Sequence, residues 1–208
     1  MSLTATLRGA TLAVALLAAA SVHAQPPPEP APAPAPAPKG KPQPGQKQIV
    51  LSASDVQALT TLHAIDLHEI DAGGLAGRRA GSKGVKQYAA MLVRDHQQID
   101  KDTIELAMAG NLNLPDRPTP RDDAERAEMQ KEMAAMQRLQ TLEGEAFDKE
   151  FLTAMIEGHQ RAIAKVEEAM GMVKETQVKA LLIRVKPVLQ LHLDKAKMLA
   201  AGKQQAAH

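Results

Sequence analysis

From Ser54 to Ala200 no stretch of the chain alternates apolar and polar residues, and Ala, Leu, Met, Glu, Gln and Lys dominate it. A half-buried strand needs that period-two pattern, whereas these residue types lose little side-chain freedom in a helix. The segment is therefore read as all-α. Four long amphipathic segments are delimited at 54–80, 82–109, 145–173 and 176–200, with Ser54 and Ser82 as N-caps. Breaks near Gly81 and Gly171 fold them into two antiparallel hairpins. Between the hairpins the proline-punctuated run NLNLPDRPTPRDD leads into a further helix over 124–142. A link of that length is what a four-helix bundle with a crossover connection requires. With one Tyr, two Phe and no Trp, the interior has to be built from Leu, Ile, Val, Met and Ala.

The ends of the chain carry a different pattern. Residues 1–24 read as a secretory signal: a single positive charge at Arg8, the apolar run TLAVALLAAAS, then Val22-His23-Ala24, whose small residues suit cleavage before Gln25. The apolar run is short for a bilayer span and no second one follows, so no transmembrane anchor is expected after cleavage, and a periplasmic or secreted location is. Residues 25–48 hold ten of the fourteen prolines and read as an extended, disordered spacer that reaches toward an envelope partner. The bundle domain is then 49–202, and 203–208 are a disordered tail.

Charge and cysteine content exclude several function classes. Without Arg8, the 25 basic and 24 acidic residues become 24 of each, a balance that gives no long-range attraction to nucleic acid or anionic lipid. The absence of cysteine excludes disulfides, thiol catalysis and thiolate metal sites.

Helical periodicity places several polar residues on apolar faces. On the second helix His96 falls inside the arc of Val85, Tyr88, Ala89, Leu92, Ile99, Thr103 and Leu106. His159 falls within that of Leu152, Met155, Ile163, Val166 and Met170, and His192 within that of Val178, Leu181, Val185, Leu189 and Leu199. The first helix turns Val56, Leu59, Leu62, Ile65 and Ile70 inward, and His63, Asp66 and Glu69 cross the same arc while His68 points outward. Glu69 lies 12 residues before Gly81 and His96 15 after it. At about 1.5 Å per residue the two differ by only ~5 Å in height. Buried imidazoles and carboxylates are costly unless paired, which leaves two readings open. One is a transition-metal site for Cu, Zn or Fe formed by Glu69, His96, His159 and His192, with His63 and Asp66 nearby. The other is a buried polar network that fixes helix register and serves a structural or interaction protein of the cell envelope. The Glu-x-x-His element of di-iron bundles is missing, because no Glu stands three residues before any His of the mature chain.

At these residues the sequence resembles the exported bacterial family known as domain of unknown function 4142. The resemblance rests on HEIDAGGLAGRRAGSKGVKQYAAMLVRDHQQ around Glu69 and Asp95-His96, on EGEAFDKEFLTAMIEGHQRAI with Phe147-Asp148 and His159, and on Pro187 to His192. It implies a ferritin-like helical bundle and export, and it carries no activity. Pro187 inside the fourth helix predicts a kink one turn before His192. Met129, Met133 and Met136 recur at helical spacing, as soft Cu(I) ligands or as the docking face of the crossover helix. The expectation is a binding protein rather than an enzyme, with self-association open. If the leader is read correctly, mass spectrometry of the exported protein finds Gln25 at the N-terminus, and a product retaining Met1 would contradict it.

Overall fold

The structure, a computed structural model, describes residues 48–206 except Pro118 and Arg121, without the side chains of 203–206. The expected leader and all but Gln48 of the expected spacer lie outside these residues. Five helices are present: α1 (Ala53–Arg79), α2 (Lys83–Ala109), α3 (Asp123–Gln140), α4 (Gly144–Met172) and α5 (Thr176–Ala206). Among the described residues there is no β-strand, only an isolated bridge between Ala80 and Gly144. No helix among them is long and apolar enough to cross a membrane. The expected all-α bundle is what the chain forms.

Two antiparallel hairpins, α1–α2 and α4–α5, pack with α1 against α4 and α2 against α5. Helix α3, about 27 Å long at 1.5 Å per residue, carries the chain back along the bundle, so α4 starts beside the α1–α2 turn. The polarity can be read from contacts at both ends. At one end Ala80 bridges Gly144, and at the other the Ser54 hydroxyl donates to the Met172 carbonyl. One crossover between two hairpins is the ferritin-type connection.

Two buried aspartates close the ends. Asp55 accepts from the backbone N–H of Ser52 within its own capping box, and from those of Lys174 and Glu175 just before α5. Asp148 accepts from the N–H groups of Gly81 and Ser82 before α2. Each ties the start of one hairpin to the turn of the other, which fixes height as well as spacing. Gly81 is required there, since a Cβ would lie 2.8 Å from the Gly144 carbonyl carbon, and Gly144 itself has φ of 62°.

Helix boundaries fall within a few residues of those read from the sequence. Ser82 is the N-cap of α2, but α1 is capped by Ser52 rather than Ser54. The reciprocal bond to Asp55, three residues on, decides between the two serines. Helix α5 runs on to Ala206, past the expected boundary at 202, and continues through Pro187. On α1, Leu59 and Leu62 are buried as expected, while Val56, Ile65 and Ile70 are only half-buried, because small Ala58, Ala72 and Ala76 occupy the centre of the contact.

Burial opposes charge on Asp55, yet its Ser52, Glu175 and Lys174 hydrogen bonds outweigh that and lower its pKa below the usual 3.8. A lowered carboxyl pKa contributes stability above the unfolded value and loses it as pH falls through the folded one. Asp55→Ala should therefore destabilise the bundle by about 3 kcal/mol at pH 7, since backbone donors lose a charged acceptor. In thermal unfolding the gap between parent and variant should shrink toward pH 3; a gap independent of pH would contradict this role.

Candidate metal centre

Halfway along the bundle α2, α4 and α5 each turn one histidine inward, and His96, His159 and His192 are fully buried. Their ring centroids lie 5.2 to 5.9 Å apart, and one ring nitrogen from each lies within 4.8 Å of the other two. No other group of three or more His, Asp or Glu among the described residues comes together in this way.

The hydrogen bonds decide which nitrogens face inward. His159 Nδ1–H donates to the Met155 carbonyl at 2.8 Å, and a carbonyl can only accept, so in the neutral ring Nε2 carries the lone pair. His192 Nε2–H donates to Asp95 Oδ2 at 3.0 Å, leaving the lone pair on Nδ1. His96 Nδ1 bonds Asp66 Oδ1 at 2.7 Å, and its Nε2 is buried with no hydrogen-bond partner. Each outer nitrogen is thus held by an oxygen while the remaining three converge.

His159 Nε2 and His192 Nδ1 are 3.3 Å apart. Two lone pairs at that distance repel unless a cation or a proton lies between them. Nitrogens bound at 2.0–2.1 Å to one tetrahedral Zn(II) are separated by about 3.3–3.4 Å. The His159–His192 pair has that spacing, and with His96 within 4.8 Å the three histidines could hold a transition-metal ion.

Protonation acts on this use in opposite directions at His192 and at the His96–Asp66 pair. Burial, assisted by nearby His96 and His159, pushes the His192 pKa down to about 4, so the ring is neutral. Burial raises Asp66 to about 7 against the opposing hydrogen bond from His96. For His96 burial opposes charge, but the Asp66 hydrogen bond and the Glu69 carboxylate outweigh it and raise the pKa. Asp66 and His96 thus take up a proton as a coupled pair. A proton that makes His96 an imidazolium, or one on Asp66 Oδ1 that moves the ring to the other tautomer, places a hydrogen on Nε2, the atom a metal would use.

The remaining candidates from the sequence lie outside the converging set. Asp66 sits behind His96. His63 is paired through Nδ1 with Asp100 on the next turns of α1 and α2. Glu69 Oε1 lies 3.8 Å from His159 Nδ1, the nitrogen that faces away from His192. Glu69 Oε2 and the Tyr88 hydroxyl are buried without hydrogen-bond partners. His68, expected to point outward, is half-buried beside a groove. Met133 is exposed and Met136 packs against the core, so the crossover methionines do not meet at one point. Asp95 and Asp100 are the residues that sequence reasoning missed as partners; the only signal for Asp95 was its position immediately before His96.

A hairpin–crossover–hairpin bundle with imidazoles converging at mid-height belongs to the class of bundle proteins with a polar centre between facing helices. The profile of the family described as Domain of unknown function (DUF4142) matches residues 40–199, most of the chain, and the protein belongs to that family. No curated protein and no solved structure matches it significantly.

In 15N NMR of the metal-free protein, His192 should remain neutral down to about pH 4. Titration of this ring near its ordinary value of 6.5 would show that the site is wetter than described.

Proposed function

We propose that this protein binds one transition-metal ion between α2, α4 and α5 through His96 Nε2, His159 Nε2 and His192 Nδ1. The observation that carries the proposal is the convergence of three buried imidazoles, one ring nitrogen of each within 4.8 Å of the others and another on an oxygen. Imidazole donors suit Zn, Cu and Fe, and three protein ligands leave a coordination position free. Asp66, Asp95 and the Met155 carbonyl orient the rings, the role outer oxygens play around ligating histidines. Full burial of all three rings supports carriage or storage of an ion rather than catalysis on an organic substrate. The leader pattern supports a site of action outside the cytoplasm.

A second reading is favoured by the hydrogen bonds between helices. Asp66 to His96 joins α1 to α2, and Asp95 to His192 joins α2 to α5, as a network fixing register would. Metal content separates the two. Mature chain purified without a tag should bind one equivalent of Zn(II) or Cu(II), and a folded His96→Ala, His159→Ala double variant should bind none. A metal-free parent, with a variant that unfolds at lower temperature, would leave the structural reading.

Asp66→Asn should weaken binding about 10–100-fold, as the loss of an outer partner does. Because a proton competes for His96 Nε2, affinity measured by competition titration should fall as pH drops through about 7, where Asp66 titrates. Affinity that is constant from pH 8 to pH 5 would contradict the assignment.

A further inference from the structure

Crossover helix α3 touches the bundle lightly. Leu139 is its only buried residue, and ion pairs from Glu128 to Lys165 and Arg161, and from Arg138 to Glu150, hold it against α4. Between α3, α1 and α4 this leaves a groove of about 620 Å³, and Glu69 is part of its lining.

Three observations on this groove point the same way. Six glutamates line it, Glu69 among them; Glu128 and Glu157 pair with Arg161 and Lys165 and Glu150 with Arg138, and the lining still carries more acidic than basic side chains on a chain whose formal net charge is +1. Glu69 is 4% exposed and its Oε2 has no hydrogen-bond partner, so a buried carboxylate oxygen stands ready to accept a cation. Its Oε1 is 3.8 Å from His159 Nδ1, so the lining meets the back of a ring of the centre. The opposite side of the centre differs. There Asp95 accepts from His192 Nε2–H and is paired with Arg94, and Lys101 lies in the same shallow depression. That depression carries two cations, Arg94 and Lys101, against the single carboxylate of Asp95.

We infer that the groove between α1, α3 and α4 is the route by which a transition-metal cation reaches the three histidines, with Glu69 as the relay carboxylate at its inner end. The inference rests on the metal-binding reading above. Acidic walls raise the local cation concentration and the encounter rate, an effect that salt screens. A relay lowers the barrier to loading and to release alike, and a carboxylate this close to the rings adds a smaller electrostatic gain in affinity.

Stopped-flow mixing of Co(II) with the mature chain, followed by visible absorption, tests this. Glu69→Gln should slow loading by about tenfold or more, with a loss of affinity smaller than the loss of loading rate. Glu132→Lys, on the α3 wall, should slow loading at low salt and lose the difference at high salt. Lys101→Glu, on the opposite face, should leave loading unchanged. Unaltered kinetics in Glu69→Gln, or a change confined to release with weaker affinity, would overturn the route, the latter by making Glu69 a ligand. Faster loading in Lys101→Glu would place entry on the other side. If the parent takes up no Co(II), the reading and the route fall together; binding with the wrong kinetics removes only the route.

Discussion

Everything proposed for this protein depends on how three imidazoles are held by their outer nitrogens. A neutral imidazole has one donor and one acceptor, so once Asp66, Met155 and Asp95 accept from the outer N–H groups, the lone pairs have nowhere to point but toward each other. In an interior of Leu, Val, Met and Ala such an arrangement is costly unless a positive species compensates it. A network built only for stability would need a proton between His159 Nε2 and His192 Nδ1, so what lies in that contact separates the two readings.

The bundle brings the rings level through its end caps. Asp66 lies 11 residues after Asp55, and His159 11 residues after Asp148. Each capping aspartate binds the backbone of the opposite hairpin's turn. With helix starts pinned in this way, residues about three turns in from the caps on α1 and α4 share one height. Close contact within a hairpin needs small residues where its helices meet. Gly73 shows this on α1, where a Cβ would come within 2.8 Å of Val93 Cγ2 and 3.0 Å of the Ala89 carbonyl.

Much of this was legible in the sequence. Helices and hairpins follow from the 3.6-residue period, Gly81 and the proline-rich link, and the three core histidines follow from that period plus a count of residues from the turns. The polar partners were harder to see. Glu69 shares the height of the centre, but period and height do not say from which side a side chain approaches a ring, and it faces His159 Nδ1 rather than Nε2. Asp95 sits at the edge of the α2 arc, and its bond to His192 depends on the rotation of α5 relative to α2, which neither helix encodes alone. Ser52 and Ser54 are two residues apart and equally good caps by type, so only the reciprocal bond with Asp55 separates them.

The loose docking of α3 follows from its composition. A helix rich in Glu, Lys, Arg and Gln has little apolar surface to bury, and its methionines divide between solvent and the edge of the core. The most direct test of the central claim is X-ray absorption of the Zn- or Cu-loaded mature protein. The account predicts three imidazole nitrogens at about 2.0–2.1 Å with no sulfur in the coordination shell. A shell of methionine sulfur, or of oxygen alone, would contradict it.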